Sequence, residues 1–142
     1  MHVDGGCHCG NITYEAEIDP EAVSICHCTD CQTLTGTAYR VNVRVRKQDL
    51  KMRGGTPRTY VKTAESGNKR AHAFCPDCGT PIYSTSTDAD PQVYGLRVGP
   101  ARRRAQPFRD AVDHEYRCAA ENRHTGAAMN NAVVPAIMDR NR

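Results

Sequence analysis

Cys7-His8-Cys9-Gly10-Asn11-Ile12-Thr13-Tyr14-Glu15-Ala16-Glu17-Ile18 holds two signals in one short stretch. From Asn11 to Ile18 polar and apolar residues alternate without a break, the period of a half-buried β-strand. Directly before it, two thiols flank a histidine and a glycine follows, which offers half of a metal site. The alternation recurs in 38–46, where Tyr39, Val41, Val43 and Val45 share one face. Shorter strand candidates are 59–62, 71–74, 81–84 and 93–98, with turn signals at 54–57, 66–68 and 88–91 between them. A short helix is expected after Asp30, through Gln32 and Leu34, with Gly36 as its stop. Many short strands with frequent turns predict a mainly β, two-sheet domain of short antiparallel strands with few short helices.

The bulk properties support a single domain that needs help from its cysteines. With 142 residues a core can form, but aromatic content is 6%, Trp is absent and mean hydropathy is −0.64. Residues 1–6 have neither the basic nor the apolar region of a secretory signal, so a cytoplasmic protein is expected. No apolar run is long enough to cross a bilayer. In a reducing compartment clustered cysteines bind metal or do chemistry more often than they pair as disulfides. Charge is uneven: residues 1–39 carry acids and no Lys or Arg, whereas 40–70 carry ten basic residues against Asp49 and Glu65. Loaded zinc–thiolate sites would bring the chain close to neutrality, so a nucleic-acid partner is not expected from net charge.

Seven of the eight cysteines fall in three clusters: Cys7 and Cys9; Cys26, Cys28 and Cys31; Cys75 and Cys78. Seven divides into a closed set of four and an open set of three, the respective ligand counts of structural and catalytic zinc. Cys75-Pro76-Asp77-Cys78-Gly79 is a zinc knuckle in sequence form, with Pro76 fixing the first turn position and Gly79 relieving the one after the second thiol. Its best complement is Cys7 and Cys9, giving a four-cysteine site that would contribute on the order of 10–16 kcal/mol to folding. Cys26, Cys28 and Cys31 then remain in one loop as an open site. His27 or His8 could supply a fourth ligand there, although each is more simply solvent-facing. Asp30 and Gln32 could orient a ligand or merely be solvated. Cys118 stands alone and reads as a free thiol. Two Zn²⁺ per chain follow, one structural and one catalytic or labile.

Three blocks carry a family resemblance: 5–14 around Cys7 and Cys9, 26–36 around Cys26, Cys28 and Cys31, and 74–83 around Cys75 and Cys78. In this order and spacing they resemble the glutathione-dependent formaldehyde-activating enzyme family, whose domain also occurs in centromere protein V. The resemblance covers residues 3–99 and implies a zinc-binding β-tent fold. It implies a structural zinc on Cys7, Cys9, Cys75 and Cys78, and an active-site zinc on Cys26, Cys28 and Cys31. It further implies a carbon–sulfur lyase of the S-(hydroxymethyl)glutathione synthase type, with glutathione or a similar thiol and formaldehyde or a related aldehyde as partners. The Arg40, Arg44 and Arg46 stripe could then receive glutathione carboxylates, unless it is an ordinary solvated strand face.

After Gly99 the chain departs from the family, which usually continues through an acidic turn and an aromatic segment with Trp. Here 100–104 is Pro-Ala-Arg-Arg-Arg, and 133–137 resembles the family again. Residues 100–142 are read as a divergent C-terminal segment packing on the same domain, with a marginal helix within 110–120. Two other functions compete with the lyase. One is a non-enzymatic zinc-binding or redox-sensing module whose open thiolates oxidise and release metal. The other is a zinc-ribbon-like binder of nucleic acid or an acidic partner through the 40–70 basic patch, which lacks interleaved aromatics beyond Tyr39 and Tyr60.

Overall fold

The computed structural model describes residues 1–64 and 67–101. Among these residues nine strands form two antiparallel sheets. The smaller has the order β1-β2-β5, from β1 (His2–Gly6), β2 (Ile12–Glu17) and β5 (Leu50–Gly54). The larger has the order β3-β4-β9-β8-β7-β6. Its members are β3 (Val23–Cys26), β4 (Arg40–Arg46), β6 (Arg58–Thr63), β7 (Lys69–Phe74), β8 (Pro81–Thr85) and β9 (Val93–Arg97). The mainly β, antiparallel expectation holds. Every strand expected from period or composition is present, within two residues at either end.

Alternation decides which faces meet. Ile12, Tyr14, Ala16 and Ile18 are all buried, as the period of the opening stretch requires. With Val3 they pack on Val23, Val43, Val45, Ile82 and Leu96 of the larger sheet, so the core lies between the two sheets. At about 25 cal/mol per Å² of apolar surface, complete burial of one such aliphatic side chain stabilises by roughly 1.5–3 kcal/mol. The expected helix is α1 (Thr29–Thr35), ended by Gly36 in the left-handed region with φ 64°. Pro100 and Ala101 lie against β1: the Gly6 amide donates to the Pro100 carbonyl at 3.1 Å, and Ala101 is buried. The helix expected within 110–120 and Cys118 lie outside the described residues. Among the described residues no helix is long and apolar enough to cross a membrane.

The face of the larger sheet turned away from this core is polar. Register partners share a face, so Cys26 with Arg40, Asn42 with Arg97, and His72 with Ser84 all stand on it. The sheet is rolled about that face. Its two edge strands, β3 and β6, are five spacings apart, about 24 Å if flat, yet Asp30 just after β3 forms an ion pair with Lys62 on β6. Rolling encloses a cleft of about 800 Å³.

Candidate functional site

The sulfurs of Cys7, Cys9, Cys75 and Cys78 lie within 4.8 Å of one another. Cys7 and Cys9 belong to the turn joining β1 to β2, and Cys75 and Cys78 to the turn joining β7 to β8. One hairpin loop comes from each sheet, so this set clips the two sheets together. Each loop is folded by its own backbone. The Cys7 amide donates to the Ile12 carbonyl at 2.9 Å, and the Cys75 amide to the Thr80 carbonyl at 2.9 Å. Gly10 and Gly79, each directly after a cysteine, take φ of 83° and 73°, which a side chain would strain. The loops are also tied to each other, since the His8 amide donates to Thr80 Oγ1 at 3.0 Å and Asn11 Nδ2 to Asp77.

Donor chemistry fits a thiophilic ion. Bonds of ~2.3 Å at tetrahedral angles place sulfurs about 3.8 Å apart; Cys7–Cys9 and Cys9–Cys75 are 3.4 and 3.7 Å apart. Disulfide bonding requires ~2.05 Å, and all seven described cysteines are free. The Ile12 amide donates to Cys7 Sγ at 3.2 Å, which favours a thiolate there. The Thr80 hydroxyl, and after it the Thr80 amide, hold the Cys78 thiol well below its usual range, at about 5.

Cys26, Cys28 and Cys31 form the second set, also within 4.8 Å. Cys26 ends β3, Cys28 is the residue before α1, and Cys31 is buried in the first turn of α1. Three sulfurs therefore gather from one strand–helix joint, with Cys28 exposed and Cys26–Cys28 at 3.5 Å. Burial pushes the Cys31 thiol up, helped by its sharing a proton with Cys26 and Cys28 and opposed by the Arg40 charge. Neither candidate histidine joins a set. His8 is exposed, and the His27 ring lies against Tyr39 with centroids 5.5 Å apart. Asp30 pairs with Lys62, and Gln32 Nε2 donates to the Ala38 carbonyl at 2.9 Å. Both residues hold the loop; neither reaches a sulfur.

Asn42 and His72 line the cleft beside this loop and hold a residue the sequence reading left without a role. Arg97 is 6% exposed; its Nη1 donates to Asn42 Oδ1 and its Nη2 to His72 Nδ1 at 3.0 Å. That geometry needs an unprotonated Nδ1, hence a neutral imidazole with its proton on Nε2. Burial first, then the Arg40 and Arg97 charges, pull His72 down to about 4. Burial and Arg40 lower Arg97 itself to about 10, which leaves it charged at neutral pH. In a pH titration followed by NMR, the His72 ring is expected to show a midpoint near 4. Its folded value lies below the unfolded 6.5, so its contribution to stability is complete above pH 6.5 and is lost as pH falls towards 4. A midpoint near 6.5 would contradict a neutral His72 beside two guanidiniums. In sequence, the available signal was a charge between Leu96 and Val98 near a strand end. Its partner His72 lies on a strand two positions away in the sheet.

Residues 2–119 match the sequence profile of the family described as glutathione-dependent formaldehyde-activating enzyme. The match reaches 20 residues past Gly99, into the segment expected to diverge from the family. No curated protein matches the chain. Among solved structures, that of a Rhodobacter sphaeroides protein is similar, with a TM-score of 0.56 and 23% identity over 75% of this chain and 93% of that one. That likeness concerns the fold.

Proposed function

The chain belongs to the glutathione-dependent formaldehyde-activating enzyme family, and from that premise we propose that it is a carbon–sulfur lyase joining a small thiol to an aldehyde. The observation that supports this reading is the three-sulfur set at one strand–helix joint, opening on a basic cleft. In the synthetic direction a sulfur–carbon bond forms, the carbonyl π bond breaks, and the thiol proton ends on the new hydroxyl. No electron acceptor is required. Cys26, Cys28 and Cys31 would hold the working zinc, and Cys7, Cys9, Cys75 and Cys78 the structural one. A zinc at the open set supplies Lewis acidity, which lowers the pKa of a thiol or polarises a carbonyl oxygen.

The chain's own part is positioning. Asp30 and Lys62 join the loop to the far edge of the sheet, which fixes the cysteines over the cleft. His72, neutral, lines the cleft and orients Arg97, which borders a neighbouring cavity. Holding thiol and aldehyde in register is most of what an addition of this kind needs, because proximity alone can supply several kcal/mol of the barrier. Protein purified without chelator is expected to carry close to two zincs per chain and to form S-hydroxymethylglutathione from glutathione and formaldehyde above the uncatalysed rate, followed by NMR exchange. Two zincs without acceleration for any thiol–aldehyde pair would remove the lyase reading. A single zinc, with the open thiols oxidising readily, would favour the redox-sensing alternative. The expected packing of 100–142 on this domain lies, beyond Ala101, outside the described residues; Pro100 and Ala101 themselves lie against β1.

A further inference from the structure

The two sheets present four edge strands, and among the described residues three of them are blunted. Gly5 of β1 bridges Ala101, and the Gly6 amide donates to the Pro100 carbonyl. β3 is short and runs straight into the cysteine loop. β5 carries exposed Lys51 and Arg53, charges of the kind that keep an edge from joining another. β6 is different. It is the longest of the four, with no Pro and no shift in its register on β7. Tyr60 and Val61 sit side by side on it, each about half exposed.

The main chain shows which groups of β6 are free. The Ala64 amide donates to the Asn68 carbonyl at 2.9 Å, so 64 and 68 are a hydrogen-bonded pair. Such pairs alternate along an antiparallel ladder. Arg58, Tyr60 and Lys62 therefore turn their N–H and C=O towards β7. Thr59, Val61 and Thr63 turn theirs outward, where no strand follows among the described residues. A row of free donors and acceptors is a template for one more strand.

The residues of β6 fit a second β6. Laid antiparallel with like faces together, two copies can bond through those outward groups in two registers. With Tyr60 opposite the partner's Tyr60, Arg58 meets the partner's Lys62 twice, and like charges directly opposite are destabilising. With Val61 opposite the partner's Val61, Thr59 meets the partner's Thr63 and Arg58 the partner's Ala64. Tyr60 then meets the partner's Lys62, an aromatic face against a cation. No like charges are opposed in this register. Lys62 is held by Asp30 of its own copy, which steadies the ammonium beside the incoming ring.

We propose that β6 is a self-pairing edge, and that two copies join through it, antiparallel about Val61, into one continuous sheet. The contact is isologous and does not depend on the protein being a lyase. Lys62 lines the cysteine cleft, so the partner's Tyr60 stands at the rim of that cleft. One strand pair is small beside the roughly 1,200–2,000 Å² of a specific, stable interface, so monomer and dimer are expected to exchange at micromolar concentration.

The test is sedimentation velocity of the full zinc-loaded chain between about 1 and 100 µM, read beside residue-resolved amide exchange. A monomer–dimer equilibrium is expected, with the Thr59, Val61 and Thr63 amides protected in the dimer. Val61→Lys sets two cations opposite each other and should weaken association about tenfold or more, exposing those three amides. The Tyr60 and Lys62 amides, bonded to β7, should stay protected, which shows that the strand still folds. Thr63→Pro deletes an outward N–H and no bond to β7, and should weaken association likewise. Val93→Lys changes a similarly exposed valine on a strand with neighbours on both sides, and should associate like wild type. A monomer at every concentration overturns the proposal, as does a dimer that Val61→Lys and Thr63→Pro leave intact. Protection of Thr59, Val61 and Thr63 in a monomer also overturns it, because a segment of the same chain would then be covering the edge.

Discussion

Cys75→Ser is expected to abolish the cooperative unfolding transition, so that circular dichroism on heating shows a gradual slope in place of a midpoint. Cys75 is fully buried, and its sulfur is 3.7 Å from that of Cys9 on the other sheet's loop. A structural zinc contributes on the order of 10–16 kcal/mol, while the net stability of a small domain is about 5–15 kcal/mol. Loss of one ligand therefore removes a quantity comparable to the whole margin. The core offers little reserve, since among the described residues Tyr14 is the one aromatic side chain in its most buried group. Zinc content should fall with the fold. A Cys75→Ser protein that melts like wild type would show that the four thiols do not hold the sheets together.

Cys28→Ser should behave in the opposite way. Cys28 is exposed at a strand–helix joint, outside the packed core, and the backbone hydrogen bond from the Gln32 amide to its carbonyl survives the change. The melting midpoint is expected to stay within a few degrees of wild type. One of two zincs should be lost, and adduct formation should drop about a hundredfold or more, as when a metal centre's ligand set is broken. Zinc stoichiometry read beside the melting curve checks both halves. If Cys28→Ser unfolds as completely as Cys75→Ser, the division between a holding site and a working site fails.

Much of this arrangement was legible in the chain, for physical reasons that differ by element. The Asn11–Ile18 alternation specified both a strand and its buried face, because a side-chain period of two leaves one register that hides Ile12, Tyr14 and Ala16. The grouping of the thiols into four and three was readable because ligand number separates closed from open metal sites before any geometry is known. Strands β1 and β5 were not read. HVDGG and LKMRG have too little alternation, and they are strands because β2 offers them a ladder on each side. β3 was hidden similarly, being only Val23–Cys26 and flanked by a turn and by the cysteine loop. The Arg40–Arg97–His72 group could not be read at all. It exists only through register across β4, β9, β8 and β7, and register between strands is fixed by tertiary packing. The basic stripe on β4 was visible as composition, but composition could not tell the half-buried Arg40 from the solvated Arg46.

The two sulfur sets also differ in the stretch of chain each must gather. Cys26, Cys28 and Cys31 lie within one joint, whereas Cys9 and Cys75 are separated by 66 positions. During synthesis the three-thiol set is complete while its future counterpart still waits for the second knuckle, a lag of roughly 2–10 s at ribosomal rates of about 5–20 residues per second. The set proposed for turnover is thus the first that could meet metal, and the set that joins the two sheets' loops is the last. For this protein the order of chain emergence and the order of structural importance run in opposite directions.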